Sequence, residues 1–362
     1  GSFGRSGQIL NLLPAAPGVG GSLELLTRAV GVAFFGEWAQ GQSGLAGLPE
    51  PSLDSPTMRI FYSDPFTLTL PEGHRFPMEK YALLREAVEA SLPQGSDYLT
   101  VPDPATDQEL ETVHTADYVR RVTQGTLSPA EVRRIGFPWS PDLVERSRRA
   151  VGGTIAAART APKDGLSVNL SGGTHHAFPD RGEGFCVFND VAVAARVLQR
   201  EGLARRIGIV DLDVHQGNGT ALIFRDDPDV FTLSVHGGNN YPFRKEPSDL
   251  DLDLPDGAGD EAYLEATRIG VERVLQHGGL DLVFYLAGSD PHEGDRLGKL
   301  SVTKEGLKER DRIVLEGCRE AHTPVAIVMS GGYGVEISNT VEIHLNTVLR
   351  AQAMFTGFPR SA

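Results

Sequence analysis

At 362 residues, 40% hydrophobic and 23% charged, the chain has an ordinary globular composition and enough length to bury one sizeable core. Its 48 acidic against 34 basic residues give a net charge of −14, which repels phosphate backbones and anionic bilayers and argues against nucleic-acid or membrane binding as its role. Two cysteines, Cys186 and Cys318, make neither a disulfide framework nor a cysteine-rich zinc site, and with no long apolar run they predict a cytoplasmic protein.

Residues 1–57 are rich in Gly, Pro, Ser and Ala and read as a poorly ordered N-terminal extension or cloning-derived leader, with Gly1-Ser2 as a vector scar. The predicted domain spans 58–362 and opens at Met58 with a strand, MRIFYSD. Helices are expected over about 79–92, at HTADYVRRV and over about 142–160, with breaks at Pro129 and GFPWSP. Strands and helices then alternate. Strands are predicted at about 167–170, 207–210, 230–235, 281–286 and 324–329, and helices at about 188–201, 260–277, 304–321 and 336–353. This order predicts a single α/β domain with a parallel sheet between two helical layers. Arg133-Arg134 and Arg205-Arg206 read as solvated helix faces.

Four polar, glycine-rich clusters each follow a predicted strand: SGGTHH, DLDVHQGNG, GSDPHEGD and SGGYG. In parallel α/β sheets ligands bind at that edge, so all four are expected to face one crevice. Around the central strand Ile207-Gly208-Ile209-Val210, polar residues begin abruptly at Asp211. Alternate residues of extended backbone share a side, so Asp213 and His215 can converge on one divalent metal, and Asp290 completes a three-ligand set. Three protein ligands with an open position is the catalytic arrangement for zinc. The adjacent His175 and His176 offer a base and an acid, and Tyr333, between two glycines, offers an oxyanion donor.

In this order, SGGTHHAF, GFCVFNDVAVAA, DLDVHQGNGT, DDPDVFTLSVH, AGSDPHEGDRLG and SGGYG resemble the zinc-dependent histone deacetylase family with its arginase/deacetylase fold. The similarity covers about Met58 to Arg350. EGDRLG, HTADYV and RRIGFPWSP resemble the bacterial deacetylase-like proteins nearest class IV. The resemblance implies zinc on Asp213, His215 and Asp290, His175 and His176 as tandem histidines, and Tyr333 as the carbonyl-polarising residue. It implies that Asp211 orients His175 and that Asn218, where many members carry Asp, orients His176 and stabilises its cation less. It further implies potassium held at Asp211, Asp213, His215, Ser234 and Val235, with a second monovalent site at Phe224, Asp227 and Val230. Gly184, Phe185, Tyr241, Leu297, Gly331 and Gly332 would line a substrate tunnel, while Cys186 would pack and His236 and His292 would be structural or solvated.

The implied reaction is removal of an acetyl or longer acyl group from a lysine ε-amine in a peptide or protein, or from an acylated small amine. An acetylpolyamine hydrolase is the first alternative, although Glu293 does not match the expected acidic gatekeeper. An arginase-type dimanganese site needs more carboxylates than these strand ends carry, and a silent binder of acetylated ligands has no need of the full constellation.

Overall fold

The structure is a computed structural model and describes residues 58–92 and 98–358. The expectation for residues 1–57 lies outside the described residues. Eight strands form one sheet: β1 (Arg59–Phe61), β2 (Leu99–Thr100), β3 (Leu166–Asn169), β4 (Ile207–Asp211), β5 (Val230–Gly237), β6 (Leu250–Leu254), β7 (Leu282–Leu286) and β8 (Val325–Val328). Their order is β2-β1-β3-β8-β7-β4-β5-β6, and every pairing is parallel.

The helices are α1 (Lys80–Ser91), α2 (Asp107–Leu110), α3 (Ala116–Gln124), α4 (Pro129–Ile135), α5 (Pro141–Asp164), α6 (Asp190–Glu201), α7 (Asn218–Phe224), α8 (Asp260–Gln276), α9 (Lys304–Glu320) and α10 (Ile337–Met354). None among the described residues is long and apolar enough to cross a membrane. Local chemistry sets their ends. Ser140 caps α5 by accepting from Leu143 N, Pro141 fills its first position, and Asn189 caps α6 by accepting from Ala192 N. The expected end of α5 near Thr160 is passed. Pro162 falls in the last turn, where its ring removes only one donor, and the helix stops at Gly165.

Alternation along the strands explains the layers. Ile207, Ile209, Phe284 and Leu286 join a core with Val151, Ile155 and Ala158 of α5 and Val191, Ala194 and Leu198 of α6. On the other face Gly208 leaves just enough room for Val274 of α8, and the Tyr285 hydroxyl reaches Asp311 of α9. Buried on both sides, the inner strands are continuous apolar runs. Two strands were not expected. β2 is two residues long, and β6, Leu-Asp-Leu-Asp-Leu, is a partly exposed edge strand whose acids interrupt the apolar signal. The strands that carry the four glycine-rich clusters, β3, β8, β7 and β4, are consecutive neighbours in the sheet.

Candidate active site

The polar ends of those four strands meet. Asp213 and His215 follow β4, Asp290 follows β7, and their ligating atoms all lie within 4.8 Å of one another. His215 Nδ1 lies 3.0 Å from Asp213 Oδ1 and 3.3 Å from Asp290 Oδ2. Asp213 also accepts from Ser330 Oγ and Gly331 N, both at 2.7 Å, so the end of β8 holds the carboxylate that follows β4. Ser330 takes a left-handed φ of 58° to make this contact. Asp290 Oδ1 accepts from Val214 N at 2.9 Å.

Asp290 Oδ2 is buried and takes no aligned hydrogen bond among the described residues. Gly331 is what makes room for it, because a Cβ there would stand 1.9 Å from that oxygen. A buried carboxylate oxygen without a donor, facing a second carboxylate and an imidazole, is what a divalent cation would satisfy. Burial disfavours the charge on His215, but the bond to Asp213 and the nearby charge of Asp290 outweigh it and hold the imidazole up at about 10. Burial and the charge of Asp213 push Asp290 up to about 7. Two carboxylates and an imidazole converging in a buried pocket are a donor set that fits a divalent ion.

The tandem histidines follow β3 and differ in what they touch. His175 Nδ1 lies 2.6 Å from Asp211 Oδ2, and although burial lowers its pKa, the charges of Asp211 and Asp213 carry it up to about 9. His176 Nδ1 lies 2.8 Å from Asn218 Oδ1. Burial, with the charges of His175 and His215, holds His176 well below the usual imidazole range. Asn218 is itself fixed, donating through Nδ2 to Glu183 Oε1 at 2.8 Å. Its oxygen therefore faces the ring, so His176 Nδ1 donates and Nε2 keeps its lone pair.

Tyr333 follows β8, and burial raises its phenol well above the usual range. Its backbone is clamped, since Asp295 Oδ2 accepts from Tyr333 N at 2.6 Å while Arg296 N and Nε both donate to Tyr333 O. Both residues belong to the EGDRLG motif. Lys80 of α1 lies behind the ring, 5.4 Å from its centroid, and donates to Gly332 O.

His176, His215 and Tyr333 line a cavity of about 680 Å³ together with Gly184, Phe185, Tyr241 and Leu297. Phe185 sits at φ 65°, and the Tyr241 ring stands edge-on to His176 at 4.9 Å. Gly331 lines an adjoining cavity of about 40 Å³, and Gly332 lines neither. Cys186 is buried and its thiol is raised well above its usual range by that burial. His236 is buried against Ser234, and His292 is buried and accepts from Gly294 N; neither joins the ligand set. Across the β4–β5 pairing Asp211 stands opposite Ser234, with Val235 the next residue on β5.

The histone deacetylase domain model matches residues 74–348, which hold every one of the residues just described. The chain belongs to the histone deacetylase family. It is therefore a deacetylase, a hydrolase of acetylated substrates. An uncharacterized protein of Picosynechococcus sp. is 49% identical over 79% of this chain and 95% of its own length. Histone deacetylase 2 of Arabidopsis thaliana is 32% identical over 64% of this chain and 62% of its own, and the acetoin utilization protein AcuC of Bacillus subtilis is 30% identical over 67% and 68%. Among solved structures, an HDAC homolog from Aquifex aeolicus superposes with a TM-score of 0.70 at 24% identity, over 84% of this chain and 85% of that one. That likeness establishes the arginase/deacetylase fold.

Sequence reasoning missed several supporting residues. Asp190 accepts from Gly173 N, Thr174 N and Thr154 Oγ1 and so anchors the histidine loop. Glu183 holds Asn218, and Asp295 holds Tyr333. Arg310, fully buried, pairs with Asp311 and donates to Gly288 O, two residues before Asp290. Glu183, Asp190 and Asp295 each act on a group far away in sequence, as Arg310 does on Gly288 O, and these long-range contacts have no local signature.

Proposed function

We propose that this deacetylase is a cytoplasmic, zinc-dependent amidohydrolase that removes acetyl groups from lysine ε-amines. The observation that carries the reading is that the Asp213–His215–Asp290 set opens through His215 onto an aromatic-walled cavity that His176 and Tyr333 also line. Asp213, His215 and Asp290 would hold the zinc, which when bound would supply Lewis acidity toward the amide carbonyl and water. Tyr333 donates its hydroxyl proton in a hydrogen bond to the carbonyl oxygen as negative charge develops there. His176, with its Nε2 lone pair kept free, takes the proton from water and returns it to the departing amine. His175 stays cationic on Asp211 and contributes electrostatically. Phe185, Tyr241 and Leu297 enclose the four methylenes of the lysine, and Gly184 gives the chain room. Potassium at Asp211, Asp213, His215, Ser234 and Val235 would brace the end of β4 against β5.

The test is kcat/KM on an Nε-acetyl-lysine peptide before chelation, after it, and after one equivalent of zinc is returned. Activity should vanish and come back. Turnover that survives chelation would sink the zinc assignment, and a strong preference for acetylspermidine would move the substrate to polyamines.

A further inference from the structure

The mouth of the cavity is charged opposite to the molecule. The chain carries a net −14, yet the charged side chains lining the cavity entrance are Arg75, Arg133, Arg134 and Lys299, and no described carboxylate joins them. All four are exposed. They come from three separate segments: the loop after β1, the last turn of α4, and the loop after β7. Arg121 nearby is spoken for by Glu131, whereas Arg75, Arg133 and Arg134 have no ion-pair partner among the described residues. Lys299 bonds the Asn239 carbonyl and stands 4.0 Å from Asp256. The C-terminal dipole of α4 accounts for cations at 133 and 134, but not for Arg75 and Lys299 converging on the same opening. Beside them Phe243 is 89% exposed, edge-on to Tyr241, an apolar surface left in water at the entrance.

A ring of four cations, three of them without an ion-pair partner among the described residues, raises the local concentration of anions and repels cations. Because the ring spans three segments, a chain crossing the mouth meets positive charge on both sides of the residue inserted into the cavity. Resting on the acyl-lysine reading above, we propose that the preferred substrates are acyl-lysines in acidic polypeptide segments, with carboxylates flanking the modified lysine and Phe243 packing on the crossing chain. Basic histone-like tails and acetylpolyamines, cationic beside the amide, are the substrates this rim rejects.

Three acetyl-lysine peptides of one length, flanked by Glu, by Gln or by Lys, test this on the zinc-loaded full chain. kcat/KM should fall from the acidic to the basic peptide by about tenfold at low salt, mostly through KM, and the gap should close at high salt. In the charge-reversed Arg133→Glu/Arg134→Glu protein, with an unchanged melting temperature, the order should invert. Equal turnover of all three peptides, or an order that ignores salt and the reversal, would overturn the proposal while leaving the deacetylase reading intact. If a single short amide with one carboxylate gained the whole preference, the rim would belong to a small acid and the polypeptide assignment would fall. No turnover of any peptide with zinc bound would count against the acyl-lysine reading instead. Binding anisotropy of the same peptides then still reports on the rim, with tighter binding of the acidic one upholding its charge preference.

Discussion

His175 and His176 are neighbours with different partners, a carboxylate oxygen on Asp211 and an amide oxygen on Asn218. The pKa of the first ring is raised and that of the second lowered, so two residues of one type differ in protonation preference through their surroundings. Tyr333 completes the set, and Tyr333→Phe should lower kcat by about 10²-fold or more while zinc content stays at one per chain. Unchanged turnover would remove Tyr333 from the reaction. A third histidine supports the loop from below. His114 Nδ1 faces the Phe178 carbonyl and Nε2 accepts from Asn189 N, so protonation would set two donors against each other. Burial lowers its pKa from the usual 6.5 to about 4. Above pH 6.5 neither folded nor unfolded chain protonates it. Between about 6.5 and 4 the unfolded chain alone binds the proton, so stability drains away as pH falls through that window, by about 3 kcal/mol at most. Urea melts at about pH 7 and about pH 5 should show this decline, and His114→Gln should shallow it, leaving the part owed to the buried His236 and His344.

The elements that carry the site were the legible ones. β4 and β7 are apolar on both faces and end in an abrupt polar run, so both strand and site could be read from Ile207–His215 and Leu282–Asp290. α4 and α7 were not foreseen as helices. The first is seven residues capped by Ser128 before a Pro-rich break, and the second begins at Asn218, inside what reads as a catalytic loop. The loop after β7 was legible as a motif but not as a device. Its Asp295 accepts from Leu297 N and Gly298 N through Oδ1 and from Tyr333 N through Oδ2, so one carboxylate fixes the backbone of both a cavity wall and Tyr333. Asp295 and Tyr333 are 38 positions apart, and only tertiary structure joins them. Asp295→Ala should therefore lower kcat by about 10²-fold through misplacement of Tyr333, with zinc stoichiometry unaltered. A loss of zinc in that variant would instead place Asp295 in support of the metal seat.

At the scale of the whole molecule, the candidate metal site is where like charges are brought together by the sheet. Asp213 and Asp290 come from adjacent strands, β4 and β7, and the end of β8 closes over Asp213 through Ser330 and Gly331. With no ion between them the two carboxylates repel, which is part of why Asp290 is pushed up to about 7. An ion seated there binds the folded chain and not the unfolded one, because the ligands converge only when the strands pair. Zinc at about a thousand times its Kd should then add about 4 kcal/mol of stability, read as a rise in melting temperature that a chelator reverses. Asp290→Asn separates this linkage from simple packing. The amide keeps the oxygen that accepts from Val214 N and removes the charge facing Asp213, so the metal-free variant should melt no lower than the metal-free parent. Its zinc-dependent rise should be lost. A rise that persisted in Asp290→Asn would put the stabilising ion somewhere else in the molecule, and a large drop in the metal-free variant would mean that Asp290 is held for packing and not for the ion.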